Sequence, residues 1–303
     1  MEVVMSDQYV LRTNQLSKNF GSVQALDQVS IHVCEGEVYG FLGPNGAGKT
    51  TTIGIMLGLI HATSGGVEIF QERLHPNQTS ILQRVGSLMG SPSSVPYLSG
   101  RDHLRILAQL HSGVNANRID EVLGQVGLAG AAHRKTKGYS SGMKQRLALA
   151  AALLHEPEML ILDEPTNGLD PAGMREVRLL LRSLADGGTT IFLSSHLLHE
   201  VEQICDRVAV LNHGKVVAEG AMSELRGDHQ VVRVRVPTLE KAAVLLNPLA
   251  RSVRKNGVYL EVEGLKSEVV VETLAMNGMI PSEVSIKGHD LEQVFLDLTR
   301  DSA

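Results

Sequence analysis

The octapeptide at Gly43–Thr50, "GPNGAGKT", decides how the rest of the chain is read. It follows a short β-like run, Val38–Leu42, and opens a helical pattern from Lys49 to Leu59. Strand, glycine-rich loop and helix is the setting in which such a loop cradles phosphate. Glycines let successive backbone N–H groups point at one oxyanion, and the helix N-terminus adds a partial positive charge. Gly43, Pro44, Asn45, Gly46, Ala47, Gly48, Lys49, Thr50 and Thr51 are therefore candidate phosphate contacts. Lys49 would reach the β- and γ-phosphates of a nucleoside triphosphate, and Thr50 would offer its hydroxyl to Mg²⁺. The competing reading is a glycine-rich turn before an ordinary helix.

A second segment supplies what that chemistry needs next. "MLILDEP", Met159–Pro165, is a continuous apolar run too short for a typical helix, and reads as a parallel strand buried on both faces. Two adjacent acids leaving such a strand are costly unless a cation waits there. Asp163 suits support of Mg²⁺, and Glu164 suits a general base that orients the attacking water. The alternative is a strand end emerging into solvent.

Composition bounds the rest. The 303 residues carry a net charge of −5, so no global basic excess argues for a nucleic-acid partner. The two cysteines, Cys34 and Cys205, are far apart in sequence and read as plain buried thiols in a reducing, cytosolic setting. No apolar run reaches the length of a membrane span, and the N-terminus lacks a signal-peptide core. The expectation is a soluble protein that a partner holds at any membrane it serves.

Along the chain, β-like runs at 9–16 and 30–33 precede the octapeptide, and 78–155 looks mostly helical, with amphipathic runs such as "DHLRILAQL" and "IDEVLGQVGL". "TTIFLSS" (189–195) and 207–220 supply further strands. The texture changes near 226. In "VVRVRV", Val232, Val234 and Val236 alternate with Arg233 and Arg235. A helix from 238 to 246, strands at about 251–255 and 258–263 around Asn256-Gly257, a helix at about 266–276 and a strand near 281–287 follow. The βαββαβ order is that of a ferredoxin-like fold, here with an added last helix in "DLEQVFLDLTR". Two domains are expected, 1–226 and 227–303.

One stretch is puzzling alone. "GYSSGMKQR", 138–146, runs into the apolar "LALAAALL" and reads by itself as a helix N-cap using Ser140 or Ser141. In order with "GPNGAGKT", "LILDEPTNGLD" and "LSSH", however, it makes the chain resemble the ATP-binding subunit of an ATP-binding cassette (ABC) transporter. The resemblance covers the whole chain. The tail points to the exporter-type branch that includes drug and lantibiotic self-protection transporters. It implies an α/β fold: an ABC-type P-loop nucleotide-binding domain with a helical subdomain at about 78–155, plus a small α+β ferredoxin-like C-terminal domain. It implies ATP and Mg²⁺ as ligands, with Thr50 and Asp163 on the metal. Ser140, Ser141 and Gly142 would face the γ-phosphate of a nucleotide held by a second ATP-binding subunit, so that two ATPs are sandwiched between two chains. Asp170 matches the loop that crosses the dimer interface, His196 the switch histidine on the γ-phosphate, and Phe20 in "SKNFG" the aromatic that stacks on adenine; a core Phe is the plain alternative for Phe20. The resemblance further implies ATP hydrolysis, with Glu164, His196 and Lys49 catalytic, powering export through a separate integral-membrane permease. The chain would lie on the cytoplasmic, inner face of the cell membrane, gripping the permease near Ser91–Ser99.

One residue departs from the pattern. The family places Gln or Glu where this chain has Gly90, so Thr51 or a water would have to help hold the metal and attacking water, and hydrolysis is expected to be slower or more loosely coupled. A catalytically weak regulatory subunit is one rival reading. A soluble ABC ATPase acting on nucleic acid is another, but such relatives carry coiled-coil insertions or two cassettes, whereas Lys49 and Asp163 lie 114 positions apart without heptads. Cargo and homodimer versus heterodimer stay open. So does the role of the C-terminal domain: regulation, dimer contact or packing.

Overall fold

Burial on both faces selects the strands of the central sheet. In the computed structural model, which describes residues 9–75, 80–90, 93–225 and 231–287, every residue of β3 (Val38–Leu42), β7 (Met159–Asp163) and β8 (Thr190–Ser195) is buried. That is why these runs are continuously apolar instead of alternating. The chain divides into two units, Met1–Glu219 and Gly220–Ala303.

The first unit opens with β1 (Tyr9–Phe20) and β2 (Val23–Cys34), an antiparallel pair much longer than the two short runs expected there. After β3 come α1 (Lys49–Met56), β4 (Ser64–Ile69), β5 (Glu72–Arg73) and β6 (Val85–Leu88). Three helices follow: α2 (Gly100–Ala108), α3 (Ala116–Gln125) and α4 (Ser141–Leu153). Beyond β7 lie α5 (Pro171–Asp186), β8, α6 (Leu198–Ile204), β9 (Arg207–Asn212) and β10 (Lys215–Ala221), with α7 (Met222–Leu225) just past it. One sheet has the order β2-β1-β4-β5 and the other β10-β9-β3-β8-β7-β6. Strands β9, β3, β8, β7 and β6 of the second sheet run parallel. Tyr39 stacks on Phe192 at 5.8 Å between centroids and Phe41 tilts against it at 5.4 Å, so aromatic contacts tie β3 to β8.

The stretch expected to be mostly helical, 78–155, therefore also contains a strand of the central sheet. β6 pairs with β7 in register Val85↔Met159 to Leu88↔Leu162. Helices α2, α3 and α4 start on side-chain caps: Ser99, Asn115 and Ser140 accept from the N–H groups of Asp102, Arg118 and Met143, each satisfying a donor that the helix cannot. Cys205 is buried as expected, whereas Cys34 is only half-buried, near the Arg207 guanidinium. Among the described residues no helix is long and apolar enough to cross a membrane.

The second unit contains β11 (Val231–Arg235), α8 (Leu239–Leu246), β12 (Ser252–Asn256), β13 (Tyr259–Glu263), α9 (Ser267–Met276) and β14 (Glu283–Lys287). Its sheet has the order β12-β13-β11-β14, with every pair antiparallel. Val232, Val234 and Val236 are buried against Ala242 and Leu246 of α8 and Val270 and Leu274 of α9. The expected helix over "DLEQVFLDLTR" lies outside the described residues, as do Ser91 and Pro92 of the expected permease groove.

Candidate functional site

Ligands of open α/β sheets bind outside the carboxyl ends of the strands. Here the carboxyl ends of β3, β8 and β7 lie side by side, with Leu42 opposite Ser195 and Asp163 opposite Ser194. The segments that leave these three ends carry the residues singled out by sequence, apart from Phe20 at the end of β1 and Ser140–Gly142 at the start of α4.

The loop after β3 takes a shape that only glycine permits at two points. A Cβ on Gly43 would lie 2.4 Å from the Leu211 carbonyl oxygen. Gly48 has φ +113°, and a Cβ there would meet the Ala25 carbonyl oxygen at 2.8 Å, so both close approach and left-handed backbone exclude other side chains. Pro44, Asn45 and Gly46 are exposed, while Ala47 is buried and anchors the loop by accepting from Gly214 N–H at 2.9 Å. Gly48 is the cap of α1 and has no side chain to satisfy the first N–H groups of the helix, which leaves donors at its start for a ligand.

Lys49 is only 6% exposed, and a charge so placed requires partners. Its Nζ donates to the carbonyl oxygens of Gly43 at 2.7 Å and Pro44 at 3.3 Å, and sits 3.5 Å from Glu164 Oε1. The other carboxylate oxygen, Oε2, pairs with His196 Nδ1 at 2.6 Å. Glu164 thus stands between a lysine and a histidine. Asp163 is buried and takes two hydroxyls, Thr50 Oγ1 at 3.0 Å on Oδ2 and Ser194 Oγ at 2.6 Å on Oδ1. A cleft of about 550 Å³ opens over this cluster. Asn45, Gly46, Gly48, Lys49, Thr50, Thr51, Glu164 and His196 line it, with Ala25 and Asn167.

The remaining candidates stand apart from that lining. Phe20 is 49% exposed, with the Lys18 ammonium 4.7 Å over its ring, which excludes the core alternative. Asp170 caps α5, its Oδ1 accepting from Gly173 N–H at 2.9 Å. Ser140 caps α4, Ser141 is exposed, and a Cβ on Gly142 would touch Leu169 at 3.1 Å. Ser141 and Gly142 are therefore neighbours of Gly168 and Leu169 within one chain, and none of these four residues lines that chain's own Lys49 cleft. Gly90 has φ +67° and no atom within 4 Å of a would-be Cβ, so its backbone shape accounts for the glycine. Ser194 and Asn167 were not among the candidates. Ser194 binds both Asp163 and the Glu164 N–H, the latter at 3.1 Å. The "LSSH" motif contains it but only strand register reveals that it faces Asp163.

Residues 26–167 match the ABC transporter family. The chain is 40% identical over 292 residues to an uncharacterized ABC transporter ATP-binding protein of Bacillus subtilis (strain 168), with 96% of each chain covered. This chain belongs to the ABC transporter ATP-binding proteins. This ABC subunit is also 40% identical over 300 residues to the bacitracin transport ATP-binding protein BcrA of Bacillus licheniformis, covering 95% of the former and 97% of the latter. It is 37% identical over 298 residues to the daunorubicin resistance ATP-binding protein DrrA3 of Streptomyces coeruleorubidus, with 94% of each covered. A solved ATP-binding subunit of an ABC transporter matches with TM-score 0.65 at 29% identity, over 72% of the ABC subunit and 92% of that chain. A dimeric cassette in a post-hydrolysis state, bound to ADP and Pi, matches with TM-score 0.65 at 25% identity, over 70% and 99%. The cassette fold and the ATP-binding role of the ABC subunit rest on these matches together with the cleft.

Proposed function

We propose that this subunit hydrolyses ATP, paired with a second ATP-binding subunit, to drive export through a separate integral-membrane permease that holds it at the membrane. The observation that carries the reading is the meeting of Lys49, Thr50, Glu164 and His196 in one cleft at three adjacent strand ends, with Asp163 buried beneath and bonded to Thr50. The named relatives support an antibiotic or another toxic compound as cargo. The dimeric relative supports pairing.

In this scheme the loop Gly43–Thr51 binds the phosphates, and Phe20 stacks on adenine. Thr50 and Asp163 would hold Mg²⁺: their oxygens are 3.0 Å apart, and hard oxygen donors few in number are what this ion takes beside phosphate. When bound, Mg²⁺ neutralises charge on the β- and γ-phosphates. Glu164 takes a proton from the attacking water, while Lys49 and His196 flank the transferring group. Ser140–Gly142 of one chain complete the site of the other, and Asp170 lies at their shared interface. For the second unit we propose a ferredoxin-like fold, supported by its element order and antiparallel strand order.

Phosphate release by the purified protein tests the core of this reading. The rate per chain is expected to require Mg²⁺ and to rise with protein concentration, since a complete site takes two chains. A rate per chain that is flat with concentration, or no release at all, counts against it.

Gly90 bears on how fast that reaction runs. A Cβ at this position meets no atom within 4 Å, but the positive φ costs of order 1 kcal/mol or more for a non-glycine residue. Gly90→Ala carries the same strain without an amide and serves as the reference. Gly90→Gln is expected to exceed Gly90→Ala in ATPase rate by about fivefold, the worth of one hydrogen bond. Equal rates and equal transport for the two variants would remove Gly90 as the cause of weak hydrolysis.

A further inference from the structure

The backbone of Glu164 is held in an unfavourable shape. Its φ is +52°, a region that a non-glycine residue occupies only where its surroundings over-determine it. On the N–H side the surroundings are β8: Glu164 N–H donates to Ser194 Oγ at 3.1 Å and to the Ser194 carbonyl oxygen at 3.2 Å. On the carbonyl side they are a side chain of α4. Gln145 Nε2 donates to the carbonyl oxygens of Pro165 at 2.9 Å and Glu164 at 3.3 Å. Gln145 is 4% exposed, and a buried amide stays only where its hydrogen bonds are made. It is therefore a clamp rather than core filling.

The helix that carries this clamp begins at Ser140, whose neighbours are assigned above to the partner's nucleotide. Gln145 lies about 7 Å along the axis from that end at 1.5 Å per residue. The next residue, Arg146, pairs with Glu176 of α5 at 2.7 Å, so α4 brackets the 165–170 segment from both sides. A rigid displacement of α4 pulls directly on the Glu164 carbonyl.

We propose that Gln145 is a positioning residue: it ties the Glu164 carboxylate of one site to the helix whose N-terminus engages the other site, and so couples the two sites. This rests on the function proposed above.

The test compares Gln145→Met, which keeps length and helix propensity but has no donor, with wild type in ATPase kinetics. ATP-dependent dimerisation is followed by size exclusion in a Glu164→Gln background. The expected result is a fall in kcat of about tenfold or more, as for a misplaced catalytic group, with KM for ATP within about twofold. The Hill coefficient falls from above 1 in wild type toward 1, the value for uncoupled sites, and ATP-dependent dimers still form. If Gln145→Met does not fold, Gln145→Asn, which keeps the amide but pulls it back by one methylene, is judged by the same measures. Unchanged kcat, a wild-type Hill coefficient of 1, or kcat and KM shifting together with lost dimerisation would overturn the proposal. A wild-type protein that hydrolyses ATP beside unaffected variants overturns the clamp alone. A wild-type protein without ATPase activity overturns the proposed function and the clamp with it.

Discussion

Glu164→Gln is expected to slow ATP hydrolysis by about 10²–10⁴-fold, the usual contribution of a positioned general base, while ATP holds the chains together as a dimer. The amide keeps the shape of the carboxylate and loses its basicity. It also removes the negative charge from between Lys49 at 3.5 Å and His196 at 2.6 Å. A neutral residue there repels the γ-phosphate less than a carboxylate does, so ATP binding is kept or strengthened while turnover stops. Size exclusion with ATP and single-turnover phosphate release check the two halves separately. A variant that remains monomeric with ATP would contradict the sandwich, and one that hydrolyses ATP at the wild-type rate would remove Glu164 from its role.

Ser140→Arg is expected to lower hydrolysis by about 10²–10³-fold, the cost of losing a charge-stabilising donor set, with ATP affinity changed by no more than about twofold. The separation of the two effects comes from geometry. Ser140, Ser141 and Gly142 do not line the cleft that holds Lys49, so a substitution there leaves the chain's own loop intact. Loss of the cap on Met143 N–H costs roughly 1 kcal/mol of helix stability, too little to unfold the unit. A long cation at an exposed helix start instead obstructs whatever approaches it from a second chain. Nucleotide binding by fluorescence titration and steady-state hydrolysis decide the matter: equal loss of both would mean that the segment serves its own chain's nucleotide.

The strands that position the site were legible because burial on both faces leaves an unbroken apolar run, as in Met159–Leu162 and Ile191–Leu193. β6 was hidden for the opposite reason. It is four residues long, and Gly86 interrupts it because α4 packs so close that a Cβ would lie 2.2 Å from the Ala152 carbonyl oxygen. The contact that builds the strand into the sheet erases its pattern. β4 opens on Ser64-Gly65-Gly66 and gives no alternation to read. At the site, residues recognised by type and spacing, such as Lys49 and Asp163, came together in the fold. Gln145 and Ser194 act through backbone groups of Glu164 and Pro165. Such contacts depend on which helix or strand passes which turn and leave no local signal.

The loop Gly43–Thr50 is moulded from outside. Leu211 presses on Gly43, Ala25 presses on Gly48, and Gly214 holds Ala47. Its curvature is thus distributed over segments as far away in sequence as the β9–β10 turn. The octapeptide is not a portable cartridge: grafted into another scaffold without that mould, it would keep its composition and lose the concavity that makes its amides converge.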